Sequence, residues 1–171
     1  MRAKGWSRIS PSFDLSLLRI EVIDDADNQR AIQGYLEDRF VPFEDEIIMD
    51  VKTGLKWAQD AGGQVITWDN ANAYVQKLML GGYSDWRLPT KEELESLLTY
   101  CKSKGIPVEE GKCVEYYSKI GFKNVQHGYY WSSTSYAGSK YHAWVVGMWG
   151  GSVHGYNKSV GHYVWPVRSG Q

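Results

Sequence analysis

The segment GGYSDWRLPTKEEL, residues 81–94, carries the strongest local signals of this 171-residue sequence. Its two glycines can end a preceding helix. Asp85 and Arg87 alternate around a tryptophan, so on an extended segment their side chains point the same way and can lock this loop to a sheet. Thr90 and Glu93 match a helix capping box, with apolar residues behind it. The segment therefore predicts an extended loop that leads directly into a helix.

Other elements are predicted from apolar spacing on either side of this segment. One more helix begins at the N-cap Thr67 and carries a buried stripe from Trp68 to Leu78. The N-terminal part predicts a strand over 16–24 and a short helix through Leu36 that Pro42 ends. The remaining predictions are a hairpin from 47–49 and 55–58 with 51–54 as its turn, a connector over 102–126, and strands over 129–133, 143–148 and 163–167.

Composition bounds the class of protein. Apolar residues make up 43 % and charged residues 23 % of the chain, which excludes disorder of the whole chain. There is no apolar run long enough to cross a membrane and no visible signal peptide, so we expect no membrane insertion. The 8 Trp, 12 Tyr and 18 Gly are typical of twisted strands joined by glycine-containing turns.

The charges are unevenly distributed. Residues 116–171 contain five basic and no acidic side chains, and Glu115 is the last carboxylate side chain. A calcium site or a catalytic carboxylate is therefore not expected in this third. Its lysines and aromatics favour single-stranded nucleic acid only weakly, because five charges over this length are sparse. The near-neutral chain predicts no nucleic-acid partner.

All four histidines lie in this same third, at positions 127, 142, 154 and 162. Zinc sites usually combine two ligands that are close in sequence with further ligands from later in the chain. The four histidines do not have this spacing, so we predict no metal and no cofactor. The tyrosines, tryptophans, serines and glycines around them resemble the composition of a binding surface.

Several blocks, in order, resemble one known family. They are TGLKW at 53–57, WDNA at 68–71, the segment 81–94, YWSST at 130–134, AW at 143–144 and VWPVR at 164–168. The family is the Lcl C-terminal domain, and the resemblance covers about residues 39–171. Many relatives have Arg where this chain has Trp165, which suggests a residue chosen for contact.

The resemblance implies an α+β fold of the C-type-lectin-like kind, with two helices packed on small twisted antiparallel sheets. It also implies kinship with the formylglycine-generating enzymes, which use cysteines near their C-terminal end. No cysteine follows Cys113 here, so no enzymatic activity is expected. Cys101 and Cys113 either form a disulfide or remain ordinary thiols. The tryptophans placed in the family blocks as a stabilising frame are Trp57, Trp86, Trp131 and Trp144.

Some relatives are variable proteins of diversity-generating retroelements, which act as phage or surface receptors. We therefore predict a non-enzymatic ligand-display domain over 39–171 preceded by an N-terminal extension over 1–38. Its partner would be a protein or glycan on another cell or virus, and its location a virion or cell surface. The alternatives are a metal-independent glycan-binding adhesin and a structural subunit of a surface or virion assembly.

The predicted ligand contacts are residues that lie between the positions that match the family pattern. Adenine-directed mutagenesis of Asn codons would reach most of them, although not the two Trp. Side chains on a strand alternate, so His154 and Tyr156 should share one face, and much of the set should form one exposed patch. The twelve predicted residues are Tyr136, Ser139, Tyr141, His142, Gly147, Trp149, Ser152, His154, Tyr156, Asn157, His162 and Trp165.

Overall fold

The computed structural model describes residues 38–169. The strand and short helix predicted over residues 16–36 lie outside the described residues. The described chain has an α+β architecture with three helices and two antiparallel sheets. Its elements are β1 (Phe40–Glu44), β2 (Ile47–Asp50), β3 (Leu55–Ala58), α1 (Trp68–Lys77), α2 (Lys91–Ser103), α3 (Lys112–Lys119), β4 (Tyr129–Ser135), β5 (His142–Gly147), β6 (Val153–Asn157) and β7 (Val167–Ser169).

The first sheet has the strand order β1-β2-β3-β7. The predicted hairpin is present, because Ile47 lies opposite Ala58 and residues 51–54 form the turn. Pro42, which we expected to end a helix, lies within β1 instead. The last strand returns to pair with β3, where Trp57 faces Val167. The C-terminal segment therefore completes a sheet that the first strands begin.

The second sheet has the order β4-β5-β6 and lies between two helices. Tyr130 and Val146 are paired and belong to the larger core cluster with the apolar side chains of α2. Trp131 and Val145 are the next pair, and they pack with the apolar side chains of α1. Because successive side chains on a strand point to opposite faces, α1 and α2 cover opposite faces of this sheet.

The capping box predicted for α2 is confirmed. The Thr90 hydroxyl accepts the Glu93 backbone N–H at 3.2 Å, and a Glu93 carboxylate oxygen accepts the Thr90 N–H at 2.8 Å. Both Glu93 oxygens also bind the guanidinium of Arg87 at 2.7 Å. Asp85 binds Arg168 of β7 at 2.6 and 3.0 Å. The loop of 81–94 is thus fastened to helix and sheet by different partners.

Several sequence predictions need correction. The predicted connector contains α3, whose buried Cys113, Val114 and Tyr117 have helical spacing. Strand β6 was not predicted, and the strand expected over 163–167 is replaced by β7, which begins only at Val167. Helix α1 begins after Thr67, but it ends at Lys77 rather than at the glycines of 81–82, and the Thr67 hydroxyl makes no capping bond.

The tryptophan frame is confirmed at three of its four positions. Trp57, Trp86 and Trp131 are buried. Trp144 is only half-buried, although it shares its face of β5 with the completely buried Val146. Its ring is covered by the ammonium of Lys91, whose Nζ lies 5.2 Å from the ring centroid.

Cys101 and Cys113 form a disulfide, which decides between the two alternatives left by the sequence. Their Cα atoms are 5.8 Å apart, and the bond joins the last turn of α2 to the first turn of α3. Both residues are completely buried in the larger core cluster.

Candidate ligand-binding surface

Strand β6 distributes its side chains over the two faces of the second sheet. His154 lies opposite Val145 and Tyr156 lies opposite Ala143, so both point to the α1 side. The prediction that His154 and Tyr156 share a face is confirmed. Gly155 is paired with Trp144 and therefore belongs to the α2 side.

The α1 side carries an aromatic face, which we define as Tyr129, Ser152, His154, Tyr156 and His162. Tyr129 lies at its centre. Its ring centroid is 5.9 Å from that of His154, 5.4 Å from Tyr156 and 5.7 Å from His162. Its hydroxyl oxygen is 3.2 Å from the Ser152 hydroxyl oxygen. Tyr129 was not among the predicted contacts, although its position two residues before the buried Trp131 indicated this face.

His162 forms the inner layer of the aromatic face. Its ring packs edge-on against Trp131 and Tyr156, with both centroid distances at 4.7 Å. The side chain is buried, and its Nε2 atom has no hydrogen-bond partner among the described residues. Burial lowers the pKa of His162, because removing the charged imidazolium from water is unfavourable. The neutral ring therefore acts as a packing surface beneath the more exposed Tyr156 and His154.

A groove continues the same side of the sheet beyond Tyr156. We define the α1 groove by its lining residues Thr67, Asp69, Lys140, Tyr141, Asn157, Lys158 and Ser159, and its volume is about 540 Å³. Tyr141 is 63 % exposed, so its ring is available for contact. The Lys158 ammonium lies 4.0 Å from the centroid of the Trp68 ring. The groove includes the predicted Tyr141 and Asn157, whereas its two lysines were not predicted.

Asn157 has a local structural role in the groove wall. Its side-chain oxygen accepts the backbone N–H of Ser159 at 3.0 Å and the Ser159 hydroxyl at 2.8 Å. This closes the turn that follows β6 and holds Lys158 beside α1, where the Lys158 carbonyl accepts the Trp68 N–H. Groove shape therefore depends on Asn157 as well as on the charged side chains.

Other predicted contacts lie elsewhere. Tyr136 packs 4.9 Å from Trp144 and 6.2 Å from His142 on the α2 side, and it covers Gly155 so closely that an added Cβ would lie 2.7 Å from its ring. Ser139 lies in the β4–β5 loop, where its N–H donates to the Tyr136 carbonyl. Trp149, 46 % exposed, lies in the turn between β5 and β6.

Besides the buried His162, two predicted contacts are buried in the frame. Trp165 is completely buried in the larger core cluster, because residues 164–168 are buried consecutively rather than alternately. Gly147 is also buried, with Tyr129 and Ser152 beside it. The twelve predicted residues therefore do not all lie in one exposed patch. The α1 side brings together Tyr141, Ser152, His154, Tyr156 and His162, and Asn157 lines the adjoining groove at the end of β6.

No three His, Cys, Asp or Glu side chains among residues 38–169 are placed to hold a metal ion. In the same part of the chain, every helix is too short or too polar to cross a membrane.

The sequence model of a family described as the Lcl C-terminal domain matches residues 46–168. No curated protein matches the chain. The matched range includes both sheets except the first strand and part of the last, all three helices, the aromatic face and the α1 groove.

Proposed function

The chain belongs to the Lcl C-terminal domain family, and from that premise we propose that it is a non-enzymatic, receptor-binding ligand-display protein. Its ligand is a macromolecule on another cell or virus, bound by the aromatic face and the α1 groove. A location on a virion or cell surface fits this role, and so does a buried disulfide, which persists best in oxidising surroundings.

One observation carries the proposal. Side chains suited to binding lie on the outside of a packed core, and the core forms without them. Tyr129 and Tyr156 pack from outside against the cluster that contains Trp131, Val145 and Ala71. His154 is exposed above them. A rigid support beneath aromatic side chains reduces the entropy lost on binding, which favours recognition.

The chemistry of this surface favours contact over catalysis. Residues 116–171 contribute only neutral or basic side chains, because Glu115 is the last acidic side chain. The five residues of the aromatic face offer planes, donors and acceptors and include no carboxylate to pair with a histidine, while the α1 groove adds the carboxylate of Asp69. Tyrosine supplies large contact areas at small entropic cost and is enriched among residues that dominate binding energies.

We further propose that the exposed members of this set are diversified by a retroelement. Support comes from their chemistry, since Tyr, Ser and His codons can all be reached from an Asn codon by adenine substitution, and from their placement. His154 and Tyr141 can change without opening the core. The test is genomic: a reverse-transcriptase gene and a near-copy of the 3′ coding end should adjoin the gene. Sequence variation between isolates that spared positions 141, 154 and 156 would contradict this part.

The binding proposal is tested with the full chain against a glycan array, a random linear peptide library displayed on phage, and bacterial cell-surface fractions. A triple variant, Tyr141→Ala with His154→Ala and Tyr156→Ala, should lose at least ten-fold of any saturable affinity. The matched control is Tyr74→Ala with Met79→Ala, which removes exposed apolar side chains outside both surfaces. Equal binding by the triple variant and the control would contradict the proposed surface.

The same experiment distinguishes the other two functions. Saturable binding to sugars alone would favour the glycan-binding adhesin. Stable oligomers that bind none of the three probes would favour the structural subunit.

A further inference from the structure

Strand β6 is an edge strand of the second sheet, and most of its outward backbone groups have no partner among residues 38–169. In the β5–β6 ladder, Lys158 donates its N–H to the Tyr141 carbonyl, and Gly147 donates to the Ser152 carbonyl. Both pairs follow the register that places His154 opposite Val145. Hydrogen-bonded and non-hydrogen-bonded pairs alternate along an antiparallel ladder. The inward-bonding residues of β6 are therefore His154 and Tyr156, and the outward ones are Val153, Gly155 and Asn157.

Only one of these outward groups has a partner among residues 38–169. The Asn157 carbonyl accepts the Val160 N–H at 3.0 Å. The other five groups are the N–H of Val153, Gly155 and Asn157 and the carbonyl oxygens of Val153 and Gly155. Alternate residues on a strand repeat every ~6.8 Å, so these donors and acceptors form a regular row.

Two of the other three sheet edges in the described chain are paired with neighbouring segments. The outer edge of β4 exchanges two backbone hydrogen bonds with Tyr163, each at 2.9 Å. The outer edge of β7 exchanges two with Arg87, at 2.9 and 3.0 Å. Neither edge has room for another strand at these positions.

The remaining edge, β1, carries features that discourage pairing. Pro42 lacks an N–H, and the register shifts between Pro42 and Glu44. Proline, charge and bulges are the usual protections of an exposed edge. The sequence VHGYN of β6 has no proline and no charged Lys or Glu, and its pairing with β5 is regular over all five residues.

We propose that β6 is a docking strand onto which an extended segment of a protein ligand adds as a fourth strand. This rests on the proposed function and specifies the chemical class of its ligand. Side chains of the added segment would alternate between the aromatic face, beside His154 and Tyr156, and the α2 side beside Tyr136. At Gly155, in the middle of the edge, the Tyr136 ring fills the space that a Cβ would take, so Tyr136 borders the added segment on the α2 side.

A peptide backbone matches this edge better than a sugar does. The row alternates donor and acceptor at the two-residue repeat of a strand, and a strand supplies the complementary order throughout. Backbone bonds would supply affinity that does not depend on ligand sequence. The variable side chains of the aromatic face would then supply selectivity.

The test begins by selecting random linear phage-displayed peptides on the immobilised full chain. Selected peptides are synthesised and studied by amide hydrogen exchange. Binding should slow exchange at Val153, Gly155 and Asn157 by at least ten-fold, and N-methylation of alternate peptide residues should abolish binding. Replacing the amide of Gly155 by an ester removes one outward N–H and should weaken binding about ten-fold, the loss expected for one hydrogen bond.

The matched control is the ester at His154, which removes an inward N–H and should lower the melting temperature. The Gly155 ester should leave the melting temperature unchanged, and hydrogen exchange reports folding of both variants. Full affinity in the Gly155 ester, or protection of the three outward amides in the free full chain, would overturn the docking strand.

Two further outcomes separate this inference from the proposed function. Peptides that lose affinity in the Tyr141, His154 and Tyr156 triple variant but not in the Gly155 ester would support the surface and overturn the docking strand. Glycan binding with no selectable peptide would do the same.

Discussion

Trp165 donates its indole N–H to the carbonyl oxygen of Ala58 at 2.9 Å, across a separation of 107 residues. Both residues are buried, and the Trp165 ring meets Trp57 edge-on with centroids 5.5 Å apart. The bond ties the segment before β7 to the end of β3. Trp165, which the sequence suggested as a ligand contact, is thus a central part of the core.

Replacing Trp165 by alanine should therefore reduce the free energy of unfolding by about 3–5 kcal/mol, the usual cost of emptying a buried tryptophan site. Trp149→Ala is the matched control, because Trp149 is 46 % exposed and should change stability by no more than about 0.5 kcal/mol. Urea unfolding followed by circular dichroism measures both. Equal stabilities of the two variants would show that Trp165 is not part of the core.

The parts of the fold that the sequence predicted have local causes. The capping box and the β2–β3 hairpin depend on residues that are close in the chain, and both are present. Helix α3 was missed although Cys113 and Tyr117 have helical spacing, because glycines at both ends favoured a loop. Strand β6 was missed because VHGYN lacks alternating aliphatic residues. Its position depends on pairing with β5, which is a non-local cause.

The candidate surface was predicted only in part for the same reason. Alternation correctly placed His154 and Tyr156 together, since one strand carries both. It could not show that Tyr136 lies on the opposite face, because a register shift between Trp131 and Ser135 intervenes. Nor could alternation show that Trp144, expected in the core, is half-buried, whereas Trp165, expected as a ligand contact, is completely buried. Burial of Trp165 depends on contacts with β3, which is distant in the chain.

Glu93 combines two functions that substitution can separate. It accepts the Thr90 N–H and binds Arg87 with both oxygens. Glu93→Gln keeps a capping-box side chain and should cost about 0.5–1 kcal/mol, whereas Glu93→Ala loses both roles and should cost about 1.5–3 kcal/mol. Chemical denaturation of the two variants checks this order. A glutamine variant as unstable as the alanine variant would mean that the ion pair, and not the cap, dominates.

The disulfide should contribute measurably to stability. Cys101 and Cys113 are 12 residues apart, and closing a loop of this length restricts the unfolded chain by about 3 kcal/mol. If the protein is denatured, reduced and then refolded with reductant present, its melting temperature should be lower, as this loss of stability requires. The variant with both Cys101→Ala and Cys113→Ala should have a low melting temperature that reductant does not change. A melting temperature of the natural chain that reductant leaves unaltered would contradict the bond.

His162 should make stability depend on pH. Burial lowers the pKa of His162, and the unfolded chain has an ordinary value near 6.5. The unfolded state therefore binds the proton more readily, so stability is highest above about pH 6.5 and falls as pH decreases below it. The neighbouring rings of Tyr129, Tyr156 and Trp131 supply no carboxylate that would compensate the charge.

The variant His162→Phe fits this apolar site and should reduce the loss of melting temperature between pH 7.5 and pH 5. His154→Phe alters the exposed histidine on the same face and should leave the pH dependence as in the natural chain. Thermal melts at both pH values provide the measurement. If His162→Phe retained the full pH dependence, another group would be responsible for it.

Finally, the cost of substitution should rise with depth below the ligand-binding surface. Tyr141 and His154 are exposed, so their replacement by alanine should change the free energy of unfolding by at most about 0.5 kcal/mol. Tyr156 is half-buried and contacts both Tyr129 and His162, so Tyr156→Ala should cost about 1–2 kcal/mol. Trp131 is completely buried, and its indole N–H donates to the Ile66 carbonyl at 2.8 Å, so Trp131→Ala should cost about 3–5 kcal/mol. Urea unfolding of the four variants tests this order.

A surface that tolerates variation requires the alanine changes at Tyr141 and His154 to be neutral. A loss above about 2 kcal/mol at either position would show that these side chains belong to the core rather than to the ligand-binding surface.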